Sequence, residues 1–156
     1  MVGCLLYVTS SRPDVKQYVG LVARFQAGPK ESHVHVVKIK FRYLKGTIHL
    51  GLWYPSKNSF YLKAYSDAYW ASCVDERKST SGGAFFLGES LVAWTSKKQT
   101  SIYLSTTEAE YIAATKCCAQ VEWMKKVLQD IKVVFEEPTI IYCDNTSAIS
   151  LSKNPL

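Results

Sequence analysis

The sequence predicts an α/β fold: a three-stranded antiparallel meander, a long helix, a returning parallel strand and a second helix on the sheet, all preceded by a helical hairpin. Three observations predict it. Apolar residues recur at helical spacing up to Lys45. From Phe60 onward the pattern changes to short apolar and aromatic runs punctuated by glycine. A single long helical run then separates the last short strand from the earlier ones. The 156 residues suit one domain with an appendage, and a 47% apolar fraction suits a packed core.

The elements follow in order. Ser10-Ser-Arg-Pro13 reads as a helix start, because proline fits the first turn and Asp14 complements the positive helix end. Val15, Tyr18, Val19, Val22 and Phe25 keep helical spacing until Gly28-Pro29 ends the run. A second helix is expected from Glu31 to Lys45, with the apolar stripe Val34, Val37, Phe41 and Leu44 and the basic stripe Lys38, Arg42 and Lys45; Gly46 stops it. Thr47 to Tyr54 reads as a strand, and Pro55 to Ser59 as a turn or linker. Strands are expected from Phe60 to Ser66, Gly82 to Leu87 and Leu91 to Ser96, the last two forming a hairpin around Gly88-Glu89-Ser90. Ser105 to Ile131 is a long helix, Thr139 to Cys143 a short strand, and Asn145 to Ser152 opens another helix. The change of pattern puts a boundary between residues 1–58 and 59–156.

Charge follows the same division. Residues 1–63 hold ten Lys/Arg against two Asp/Glu, a net +8, whereas residues 64–156 carry −2. A basic front suits a phosphate backbone, and the acidic residues gather behind it; solubilising lysines are the plainer account of the same charge. The five cysteines, Cys4, Cys73, Cys117, Cys118 and Cys143, form no C-x-x-C pair. A disulfide framework or zinc ribbon is therefore not expected, and His33 and His35 read as helix-surface residues. No apolar run is long enough to span a membrane, and the N-terminus does not read as a signal peptide, so an intracellular location is expected.

Three carboxylates stand in distinctive frames: Asp67 at the end of the first strand, Glu110 early in the long helix, and Asp144 where the last strand meets a helix. Sites in open α/β sheets gather where strands end and helices begin. Carboxylates converging there can hold divalent ions, and two such ions can cleave a phosphodiester. At about 100° per residue, Glu110 shares a helix face with Ala114, Cys117, Val121, Met124 and Leu128, so it points into the sheet. Glu108 falls on the opposite face and has its own role, because Ser105-Thr-Thr-Glu108 has the form of a capping box. Singly, Asp144 reads equally well as a helix cap or turn residue, and Asp67 reads as an ordinary turn aspartate. A buried Glu110 paired with a basic or hydroxyl group is the structural alternative.

The chain resembles the Pol polyprotein of copia-type LTR retrotransposons, from the end of the reverse transcriptase into the RNase H domain. The segments carrying the resemblance are Thr9-Ser-Ser-Arg-Pro-Asp14, Arg42-Tyr-Leu-Lys-Gly-Thr47, Gly51-Leu-Trp-Tyr54, the three acidic frames, Asp75 to Gly82, Phe85-Phe-Leu-Gly88 and Trp94-Thr-Ser-Lys-Lys-Gln99. The resemblance implies an RNase H-like fold in residues 59–156, behind a remnant of the reverse transcriptase in residues 1–58. It implies hydrolysis of RNA in an RNA–DNA hybrid with Asp67, Glu110 and Asp144 as metal ligands for two Mg²⁺ ions, Mn²⁺ being the alternative, and Asp67 bridging them. Lys97, Lys98, Gln99, Arg77 and Lys78 would touch the hybrid's phosphates, a solvated loop being an equal reading of the same charge. The upstream reverse transcriptase would be the protein partner.

Three departures accompany the resemblance. Tyr69 and Ser72 replace the family's second Asp and its Gly, and Gly82-Gly83 replaces Gly-Tyr. The family pattern continues past Asn154-Pro155 into a His-Ile-Asp segment with a fourth acid and the last strand and helix, so a C-terminally truncated domain is expected. The paired aspartates of a polymerase are missing, which excludes polymerase activity for this chain, and the order Asp, Glu, Asp excludes an integrase. An RNase H domain and a catalytically impaired remnant that at most binds nucleic acid both remain open.

Overall fold

The computed structural model describes residues 1–56, 61–73, 76–135 and 138–154. The chain divides into two compact units, Met1–Trp53 and Tyr54–Leu156. The expected boundary at 58/59, the start of the first strand at Phe60 and Asp75 lie outside the described residues.

The first unit is helical. It contains α1 (Val2–Val8), a 3₁₀ turn at Pro13–Val15, α2 (Lys16–Ala23) and α3 (Glu31–Gly46). Its core joins Leu5, Val15, Val19, Val22 and Val37. Helix α1 was not expected, because seven residues without a side-chain cap leave little pattern to read. Burial of Leu5 holds it in place. His33 accepts a hydrogen bond from the Lys30 amide through Nδ1 and stacks on Phe25, so it serves the start of α3.

The expected strand from Thr47 to Tyr54 is not formed. Thr47 instead caps α3, with its amide bonded to the Leu44 carbonyl, and it is gripped by Arg12. The unit has no sheet edge for such a strand to pair with, and a strand without a partner leaves its backbone groups unsatisfied. Arg12 donates to Asp14, to the Thr47 carbonyl and to the Thr47 hydroxyl, while Tyr43 donates to Asp14. Two sequence segments singled out above thus meet in one polar clasp between the Pro13 turn and the end of α3.

The second unit is a mixed four-stranded sheet with helices, compatible with an RNase H-like fold. The strands are β1 (Leu62–Tyr69), β2 (Thr80–Leu87), β3 (Ser90–Lys98) and β4 (Ile140–Tyr142), in the order β3-β2-β1-β4. β2 is antiparallel to β1 and β3, whereas β4 runs parallel to β1. The β2–β3 turn places Gly88 at φ 59°, a left-handed conformation that favours glycine. Helices α4 (Thr106–Asp130) and α5 (Thr146–Lys153) complete the unit. Cys117, Val121 and Met124 of α4 pack on Leu62, Ala64 and Phe85 of the sheet. On the other strand face, Tyr65 stacks on Tyr142 and meets Phe86 edge-on.

Candidate metal-binding carboxylate site

Helix α4 begins at a built cap. The Ser105 hydroxyl accepts from the Glu108 amide at 3.1 Å, and the Glu108 carboxylate accepts from the Leu104 amide at 2.9 Å. The box thus closes one residue earlier than the usual pattern, which returns to the N-cap amide. Glu108 is exposed and Glu110 is only 7% exposed, as the helical wheel requires. The buried face runs Glu110, Ala113, Cys117, Val121 and Met124.

Glu110 reaches the end of β1, where its Oε1 accepts from the Ala68 amide at 3.0 Å. Asp67 is the residue before that donor, and Asp144 follows β4. Both are exposed. Burial pushes the Glu110 carboxyl above its ordinary pKa, the Ala68 bond opposes that shift, and the charges of Asp67 and Asp144 add to it. Ligand atoms of Glu110, Cys143 and Asp144 lie within 4.8 Å of one another. Cys143 also has a raised pKa, first from burial and then from the surrounding carboxylates, against a lowering bond from the Asn145 backbone. Among the described residues no Lys, Arg or His forms an ion pair with Asp67, Glu110 or Asp144.

Several residues position this group. Asn145 caps α5 by accepting from the Ala148 amide at 2.8 Å, which fixes the chain just after Asp144. The Trp70 indole donates to the Tyr103 carbonyl, tying the end of β1 to the entry of α4. Ser79, fully buried, accepts from the Ala71 amide through its hydroxyl, and its carbonyl accepts from the Gln99 amide. Gln99 is 1% exposed, and its Nε2 donates to Ser81 Oγ and to the Ala109 carbonyl. The positioning roles of Ser79, Ser81 and Trp70 were not read from the sequence. Nor was the place of Cys143, although its adjacency to Asp144 was a usable signal.

The basic residues are placed differently from one another. Lys98 and Lys78 both pair with Glu76, at 2.6 and 2.9 Å, and hold its carboxyl down at about 2. Arg77 is exposed at φ 52°. Lys97 is exposed and, with Lys98 and Lys116, lines a cleft of about 350 Å³ between α4 and β2–β3. Beside it, a Cβ added to Gly83 would lie 3.0 Å from Thr95 Oγ1 and 3.2 Å from the Phe85 ring. Phe85 therefore crowds the space that a larger residue at position 83 would need. Tyr69 is 61% exposed, and Ser72 shares a 2.8 Å hydrogen bond with Thr80.

Comparison with known proteins supplies the lineage. The chain is 36% identical over its whole length to the retrovirus-related Pol polyprotein from transposon RE1 of Arabidopsis thaliana. It is 41% identical over 99% of its length to that from transposon TNT 1-94 of Nicotiana tabacum. The chain is thus similar, along its whole length, to a short segment of retrovirus-related Pol polyproteins from plant transposons. It spans 11–12% of the length of these polyproteins. It is also 38% identical, over 79% of its length, to 87% of the secreted RxLR effector protein 161 of Plasmopara viticola. No family model and no solved structure matches the chain. No helix among the described residues is long and apolar enough to cross a membrane.

Proposed function

We propose that this Pol-related chain is a ribonuclease H domain of the copia type, which hydrolyses the RNA strand of an RNA–DNA hybrid. The observation that carries the proposal is Glu110. A carboxylate buried at the end of β1, its pKa raised first by that burial and then by two neighbouring carboxylates, and without a basic partner among the described residues, is costly unless a cation joins it. The donor set fits a hard divalent ion, which takes carboxylate oxygens.

Asp67, Glu110 and Asp144 would hold two Mg²⁺ ions. Metal held there would supply the activation of a water and the stabilisation of the leaving oxygen. The protein's own contribution is placement. The Ala68 amide fixes one oxygen of Glu110, leaving the other toward Cys143 and Asp144. Exposed Asp67 and Asp144 are accessible to a backbone phosphate. Arg77 and Lys97 supply exposed charge for the hybrid, whereas Lys78 and Lys98 are shared with Glu76.

Cleavage of a labelled RNA–DNA hybrid with and without Mg²⁺ tests this, with Asp67→Asn as the control. The expected result is Mg²⁺-dependent cleavage that falls at least about 100-fold in the variant. Absence of cleavage by a folded wild-type chain that still binds the hybrid would favour the impaired remnant instead.

A further inference from the structure

Cys143 lies within the carboxylate group without a part in the hydrolytic reading. Its Sγ is 4.0 Å from Glu110 Oε2, and ligand atoms of Glu110, Cys143 and Asp144 all fall within 4.8 Å of one another. Glu110 is 93% buried, and its Oε2 has no partner outside this group among the described residues. Two side chains come from one strand end and the third from a helix held by the Ser105 cap and the Gln99 bonds. Such supported placement is what a metal site requires.

The donors are of two kinds. Carboxylate oxygens suit Mg²⁺, but thiolate sulfur is a poor ligand for it and selects softer ions such as Zn²⁺. Tetrahedral ligands with bonds of ~2.0–2.3 Å lie about 3.5 Å from one another, so modest side-chain rotation from the observed spacing completes the geometry. We propose that Glu110, Cys143 and Asp144 form a site for a thiophilic divalent ion, Zn²⁺ or Cd²⁺, with solvent as the fourth ligand. Binding forms a metal–sulfur bond and releases the Cys143 thiol proton to solvent. The site itself stands apart from the hydrolytic reading. Only its consequence rests on that reading: a thiophilic ion held by Glu110 and Asp144 displaces Mg²⁺ from shared ligands and inhibits.

The test is direct metal binding by the full chain. Zn²⁺ affinity is measured by competition with a chromophoric chelator, and Cd²⁺ by its ultraviolet thiolate charge-transfer band. Wild type is expected to bind one ion and show the band. Cys143→Ser should lose the band and weaken Zn²⁺ at least about tenfold, and Asp144→Asn should weaken Zn²⁺ with the band retained. Cys118→Ser, on the exposed side of α4, should match wild type. Circular dichroism confirms that each variant is folded. Wild-type Zn²⁺ affinity in folded Cys143→Ser, or loss of the band in Cys118→Ser, would overturn the proposal. Cleavage is scored separately, so failure of the Mg²⁺ reaction leaves this result intact and the reverse holds too.

Discussion

Gln99 separates two accounts of the segment that ends β3. As a phosphate contact it would be exposed, and its removal would weaken hybrid binding without unfolding the chain. The structure instead buries it at 1% and spends both amide protons, on Ser81 Oγ at 2.9 Å and the Ala109 carbonyl at 3.0 Å. Ala109 precedes Glu110, so Gln99 pins the helix turn that carries the carboxylate. Each bond is worth about 1 kcal/mol net, and truncation to alanine also leaves a cavity, so Gln99→Ala should cost roughly 3 kcal/mol. For a unit of this size unfolding entropy is about 0.2 kcal/mol per degree, which makes the loss roughly 10–15 °C in Tm. Gln99→Met keeps the length, forfeits the two bonds and removes the buried, unpartnered Oε1, so it should lose at most about half as much. Thermal melts followed by tryptophan fluorescence suit the test, since Trp70, Trp94 and Trp123 all lie in this unit. A Gln99→Ala chain with wild-type Tm and weakened hybrid binding would refute the pinning role.

Other outcomes follow from the same geometry. Glu110→Gln should raise Tm near neutral pH while abolishing Mg²⁺-dependent cleavage. The folded pKa of Glu110 is raised, so its contribution favours folding below the unfolded value of about 4.3 and is lost as pH rises through the folded value. The variant's advantage should therefore vanish in melts below about pH 4. Mg²⁺ at about ten times its Kd should stabilise wild type by ~1.4 kcal/mol and leave Glu110→Gln unmoved, read by the same melts. Ser105→Ala removes the bond from the Glu108 amide and should cost about 1 kcal/mol in urea titration. In the first unit the Arg12 bond, reinforced by Tyr43, holds the Asp14 carboxyl below its usual range against burial. Asp14→Asn should thus speed hydrogen exchange at Thr47 near neutral pH, and the difference from wild type should close in acid, as pH falls through the folded Asp14 pKa.

Periodicity made most elements legible. The long helix and its buried face were readable because 25 residues give several turns over which a stripe can repeat. Glu110 could be told from Glu108 for the same reason. Helix α1 was too short to show a period, and its stability comes from Leu5 reaching a core that local sequence does not display. The Thr47 to Tyr54 segment has strand-like residues, but strand formation depends on a partner edge, and Arg12 claims Thr47 from 35 residues away. Gln99 was misleading beside two lysines. Its neighbours suggested a basic surface, but Gln99 lies just past the end of β3, where strand alternation no longer governs, and its burial is settled by the partners it meets, Ser81 Oγ and the Ala109 carbonyl. Cys143 illustrates the remaining gap. Its position next to Asp144 is visible in sequence, but its nearness to Glu110 depends on β4 running parallel to β1 beneath α4.

That parallel pairing is what makes the acidic group more than a coincidence of composition. Strand β4 sets Tyr142 opposite Tyr65 in the ladder, so Asp67 and Asp144 both lie two residues past one rung, at the same edge of the sheet. The Ser105 cap then fixes where α4 starts, and Glu110 arrives at that edge on its buried face. Each arrangement has an ordinary structural purpose when taken alone. Together they bury Glu110 and bring like charges near it; burial first and those charges second raise its pKa, which destabilises the ionised fold, and among the described residues no basic side chain relieves it. A fold selected only for stability would place glutamine at position 110 and keep the bond from Ala68. An acid at this position makes physical sense where a cation completes the group, and it is this cost, more than the acidity of the segment, that supports the proposed metal site; the cleavage assay then separates a working hydrolase from a folded remnant.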